Sequence, residues 1–176
     1  MIDIETLSTE DDALVISIGA VAFDVSAAQF WVVAEGLWRV RFTDRNLGRI
    51  DAKTVLWWMS QSAEAQKELT EVEGRIPLKQ ALSELRNFCA NADGVWSNGP
   101  MFDERILRCA ERAVGHDPAG LFSYKKSRCC RTIYDIGRRL GIQLKDPEGV
   151  VAHNPLHDAR RQASHMQQIV SQLWKG

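Results

Sequence analysis

The chain has 176 residues, 45% of them hydrophobic, and a net charge of -1, which predicts one compact domain over residues 1–176 with a substantial core. No basic and apolar leader precedes Asp3, and no apolar run approaches the roughly 18 residues of a membrane span, so a soluble, cytoplasmic protein with no membrane partner is expected. Cys89, Cys109, Cys129 and Cys130 form no CxxC pair, which argues against a disulfide framework or zinc knuckle and for reduced structural thiols.

In chain order, residues 1–6 read as a short strand and Ala13 to Phe23 as a nearly continuous apolar strand suited to the middle of a sheet. Gln29 to Phe42 contains a third, more mixed strand, and three strands with short links predict an antiparallel meander. Asp51 reads as the N-cap of one helical stretch over residues 51–69. A second helical pattern runs from Pro77 to Cys89, followed by a brief strand in residues 93–98. From Phe102, apolar residues recur at Ile106, Leu107, Ala110, Ala113 and Val114 with helical period up to Gly115. Residues 116–130 read as irregular or as a short strand, residues 131–141 as a short helix closed by Gly141, and Asn154-Pro155 as the cap and first residue of the last helix. The expected fold class is α/β, a mixed sheet of antiparallel meander plus parallel strands flanked by helices.

Charge is unevenly divided along this order. Residues 1–103 carry 9 Lys/Arg against 16 Asp/Glu, whereas residues 104–145 carry 10 against 4. A basic surface beside an acidic site suits a metal-dependent enzyme acting on a polyanion, because cations steer phosphates while carboxylates hold the metal. A solvated helix surface is the plainer explanation of the same charges.

Asp3 and Glu5 lie two apart on an extended segment, so they project to one side while Ile2 and Ile4 face the core. Paired carboxylates repel unless protons or a cation compensate, and a divalent ion with hard oxygen ligands does so; solvent-facing strand acids would give the same spacing. In SNGPMFD a strand ends, a Gly-Pro turn follows, and Asp103 falls in the first turn of a helix, where an acid is also a local stabiliser. In HNPLHD, Asp158 lies early in the last helix and His153 sits in the loop before it, able to approach the same cleft. Only Met1 and Ile2 precede Asp3, which predicts a weakly supported start to the first strand and leaves open a native start upstream of Met1.

MIDIET, SNGPMFD and H-x4-D, in this order across nearly the whole chain, resemble the three motifs of the DEDDh 3'-5' exonucleases, which have the ribonuclease H-like fold. RIDAKTVLWWMSQSAEA and RTIYDIG further resemble a small phage and bacterial branch of exodeoxyribonuclease-like or exoribonuclease-like proteins. The resemblance implies that Asp3, Glu5 and Asp158 bind one Mg2+ or Mn2+, that Asp3 bridges to a second, that Asp103 completes the site, and that His153 is the general base. Two such ions suit in-line displacement at phosphorus, and a histidine titrates in the right range to deprotonate water. The implied partner is a single-stranded DNA or RNA 3' end and the implied product a nucleoside 5'-monophosphate.

Other residues follow from the same resemblance or from their type. Thr6 and Leu7 stand where related enzymes contact the terminal nucleotide through backbone amides and an apolar wedge. Asn98 is a candidate to bond substrate or the turn backbone, and Arg128 and Arg131 to hold phosphate oxygens. Trp57, Trp58 and Gln61 lie on one helical stretch, where an aromatic could stack on a base, pack in the core or form a homodimer contact. The rival readings are a nucleic-acid-binding protein of weak catalytic power and an oligoribonuclease-like enzyme. All four acids and the histidine are present, which favours an active nuclease.

Overall fold

The computed structural model describes residues 1–27, 30–42, 48–121 and 123–174. Gln29, where the third strand was expected to begin, lies outside them. Three antiparallel strands, β1 (Ile2–Thr6), β2 (Val15–Phe23) and β3 (Val32–Arg39), form one sheet in the order β1-β2-β3. Two short parallel strands, β4 (Val95–Ser97) and β5 (Ser127–Cys129), form a second, with β4 lying against β1. The helices are α1 (Ala52–Met59), α2 (Ala63–Thr70), α3 (Leu78–Cys89), α4 (Asp103–Ala113), α5 (Cys130–Arg139) and α6 (Pro155–Leu173). This is the expected α/β class, an antiparallel meander and a parallel pair flanked by helices.

Strand alternation decides which residues meet which helices. Ile2, Ile4, Ile18 and Ala20 point to one face and pack with Leu82 and Leu85 of α3 and Ile106 and Leu107 of α4. On the other face Val21 packs with Ala159, Ala163 and Met166 of α6. Asp3 and Glu5, in register with Gly19 and Ser17, therefore look toward α6 rather than toward α3 and α4.

Gly19 is what lets α6 come that close. A Cβ at this position would stand 2.2 Å from the Pro155 carbonyl carbon and 2.3 Å from the Leu156 nitrogen, and backbone cannot move aside as a flexible side chain can. The first turn of α6, which carries Asp158, thus rests directly over the strand paired with Asp3. We expect Gly19→Ala to lower unfolding free energy by about 2–3 kcal/mol, the upper range of overpacking, and to cut activity because α6 is displaced. Equal melting temperature and activity in the variant would show that the close approach is dispensable.

Two expectations change. The stretch at 51–69 is two helices, because Ser62 takes an extended backbone and its side chain accepts from the Ala65 N–H, restarting the helix after the Ser60 cap. The first strand is also better supported than its short lead suggests. Met1 is buried, its amine donates to the Val21 carbonyl at 2.7 Å, and the Val21 N–H donates back to the Met1 carbonyl at 2.9 Å. Among the described residues no helix is long and apolar enough to cross a membrane, and all four cysteines are unpaired thiols.

Candidate active site

Three elements from distant parts of the chain supply the acids. β1 carries Asp3 and Glu5, the first turn of α4 carries Asp103, and the first turn of α6 carries Asp158. Asn154 caps α6 by accepting from the His157 N–H at 3.2 Å, with Pro155 as the first helical residue, so the helix start that presents Asp158 is fixed by local sequence. Glu5, His153 and Asp158 each offer one ligand atom, and these atoms all lie within 4.8 Å of one another.

The electrostatics of this cluster are those of a site built for positive charge. Burial pushes Glu5 up to about 9, with Asp158, Glu68 and Asp103 adding repulsion. Asp3 keeps a partly exposed edge, yet desolvation and then Asp103, Glu5 and Asp158 hold its carboxyl well above the usual range. Burial likewise raises Asp103 to about 7 despite hydrogen bonds from the Ile4 backbone and Ser97 and the nearby Arg131. Asp158 is raised by desolvation, partly offset by Arg161, whose Nη2 lies 2.5 Å from Oδ1, and by the His153 N–H at 2.8 Å from Oδ2. Four carboxylates that burial biases toward their protonated forms could exchange those protons for a divalent cation. The carboxylates offer hard oxygen donors, which fit Mg2+ or Mn2+, and the His153 imidazole stands beside them.

His153 has φ 63, the one positive value at a non-glycine residue among the described residues. A side chain in the left-handed region costs on the order of 1–3 kcal/mol and persists only where neighbours over-determine it. Here its N–H is tied to Asp158, and its ring meets Trp57 edge to face at 4.8 Å and Trp58 at 6.1 Å. The imidazole is thereby turned toward Glu5 and Asp158. His157 turns elsewhere: its Nδ1 accepts from the Val151 N–H at 3.0 Å.

The expected substrate contacts divide. Asn98 Oδ1 accepts from Arg131 Nε at 3.2 Å and lies 3.7 Å from the Cys130 thiol, leaving the Arg131 guanidinium exposed beside Asp103. Trp58 offers no face to a base, because it is fully buried and its Nε1 donates to the Thr6 carbonyl at 2.9 Å. Its work is to brace the end of β1 just past Glu5. Trp57, 41% exposed, is the aromatic that reaches solvent here. Leu7 is no wedge, since its side chain packs with Leu14, Ile16 and Trp58 and its N–H donates to Leu14. Thr6 is buried, with its hydroxyl on the Ser8 carbonyl, and the Gln61 amide closes the end of α1 on the Trp57 carbonyl.

Two buried residues outside the three motifs also reach the site. Glu68 of α2 accepts from Asn154 Nδ2 at 3.0 Å and from Arg39 Nη2 at 2.8 Å, clamping the cap beside His153. Gln162 of α6 donates from Nε2 to Asp3 Oδ1 at 2.6 Å. Gln162 was detectable in principle, being four residues after Asp158 and hence on the same helix face. Glu68 sits in the polar segment AEAQKELT, which carries no such signal.

The model of the 3'-5' exoribonuclease Rv2179c-like domain matches residues 1–170 of the chain. The chain belongs to this family. A search of the curated proteins found no match. The family match spans all three motifs, from Asp3 to Asp158.

Proposed function

We propose that the chain is a DEDDh-type, two-metal 3'-5' exoribonuclease on a ribonuclease H-like fold, releasing nucleoside 5'-monophosphates from single-stranded 3' ends. The observation that carries this reading is the convergence of Glu5, His153 and Asp158 ligand atoms within 4.8 Å, with Asp3 and Asp103 electrostatically coupled to them. Asp3, Glu5, Asp103 and Asp158 would hold Mg2+ or Mn2+. When bound, such ions supply charge stabilisation for the attacking and leaving oxygens of an in-line displacement.

The chain's own residues do the rest. His153, held against Trp57, takes the proton of the attacking water. Arg131, steadied by Asn98, presents an exposed guanidinium to phosphate oxygens beside Asp103. Trp57 offers the stacking face for a terminal base that Trp58 does not. Trp58 and Leu7 pack together beneath the end of β1, where Trp58 holds the Thr6 carbonyl next to Glu5.

Matched RNA and DNA oligonucleotides labelled at either end, with Mg2+, Mn2+ or chelator, test the reading. We expect stepwise shortening of RNA from the 3' end, immediate release of a 3'-labelled mononucleotide, and no turnover in chelator. DNA serves as a second substrate if the 2'-hydroxyl has no dedicated partner near Trp57. Efficient cutting of circular single strands, or undiminished turnover in excess chelator, would overturn it.

A further inference from the structure

The Asp3 carboxylate faces the charges of all three other acids of the site, and the neutral group that touches it comes from outside the sequence motifs. Gln162 is 5% exposed, and its Nε2 donates to Asp3 Oδ1 at 2.6 Å. Its Oε1 is buried with no hydrogen-bond partner among the described residues. Leaving an amide oxygen in that condition costs roughly 1–3 kcal/mol, so the arrangement needs a reason. Both ends of an amide share one carbon, so the orphaned Oε1 lies in the same buried neighbourhood as Asp3.

The residue is also fixed at its backbone. The Tyr134 hydroxyl of α5 donates to the Gln162 carbonyl at 3.0 Å. Tyr134 packs with Cys130, and Cys130 touches Asn98, which holds Arg131. A set of polar contacts thus runs from the exposed Arg131 through α5 to the backbone carbonyl of the residue whose side-chain amide meets Asp3. Gln162 lies one turn after Asp158 on α6, so one helix supplies both an acid of the cluster and the group that orients another.

We propose that Gln162 is a positioning residue for Asp3: its amide hydrogen takes one lone pair of Oδ1 and turns the remaining carboxylate lone pairs toward a divalent cation. An ionised carboxylate has about four acceptor positions, so one is spent on orientation and the others stay available. Gln162 Oε1, beside the same carboxylate, is left as an acceptor for a proton of the cation's hydration shell. An amide suits this place because it donates without adding charge. A lysine would compete with the cation, and a glutamate would repel Asp3. The inference rests on the metal-dependent reading above and extends it to a residue that the three motifs do not include.

Calorimetric titration of the intact protein with Mg2+ and Mn2+, without RNA, tests it in the parent, Gln162→Leu and Gln162→Asn. Leucine removes the donor at similar volume, and asparagine keeps the amide but falls short of Asp3. We expect both to weaken cation affinity by about 10-fold to 100-fold, the range for lost outer partners of metal ligands. RNA KM should hold steady, and kcat should recover as Mn2+ is raised. A merely structural role would lower the melting temperature and leave cation affinity alone; equal affinity in the parent and in a folded variant overturns this inference by itself. Should the leucine variant fail to fold, the asparagine variant decides by the same criterion. No cation binding by the parent would overturn the metal reading, and this inference with it.

Discussion

Asp3→Asn is expected to abolish RNA hydrolysis while raising the thermal stability of the metal-free protein. The first effect follows from position, since Asp3 accepts from Gln162 and meets the charges of Glu5, Asp103 and Asp158. The second follows from linkage. Asp3, Glu5, Asp103 and Asp158 all have folded-state values above their ordinary ones, Glu5 moving from 4.5 to about 9 and Asp103 from 3.8 to about 7. Such groups bind more protons folded than unfolded, so their contribution is intact below their ordinary values and is lost as pH rises through the folded ones. Metal-free protein should therefore lose stability steadily from about pH 4 to about pH 9, and Asp3→Asn should flatten that slope. Mg2+ or Mn2+ should restore stability at the alkaline end, and its binding near neutral pH should expel protons, seen as a buffer-dependent heat. Melting temperatures across this range, with chelator and with metal, check all of it. A parent protein that gains stability with pH in chelator would contradict the account.

What could be read in advance depended on how far each feature reaches along the chain. Alternation put Asp3 and Glu5 on one face of β1 because a strand has period two. Asn154-Pro155 fixed the start of α6 because capping is local. Asp103 was placeable for the same reason, following a strand and a Gly-Pro turn. The contacts that complete the site are long-range: Gln162 meets Asp3 across 159 residues and Glu68 meets Asn154 across 86. No single-segment pattern announces those pairings. Trp57 and Trp58 show the limit at its narrowest, because adjacent helical residues differ by about 100° in direction, and only the packing of α1 against Leu7, Ile16 and Ala65 decides that Trp58 goes inward. Leu7 shows the same limit, because only its packing against Leu14, Ile16 and Trp58 decides that it goes inward.

His153→Ala should lower kcat by about 100-fold or more, the scale of general-base loss, while His157→Ala keeps most of the parent's rate. The two rings stand four residues apart on opposite sides of the Asn154 cap, and their partners differ in kind. His153 belongs to the cluster with Glu5 and Asp158, and Trp57 and Trp58 hold its ring there. His157 accepts from the Val151 N–H and so braces the loop that leads to His153. Its loss removes one hydrogen bond from that loop, worth about 1 kcal/mol, and should cost at most a few-fold in rate. Trp57→Ala offers a third comparison, because it removes both the ring that steadies His153 and the exposed stacking face, so kcat should fall and RNA KM should rise together. If His157→Ala is the inactive variant, or if His153→Ala preserves the parent's rate, the base has been assigned to the wrong histidine.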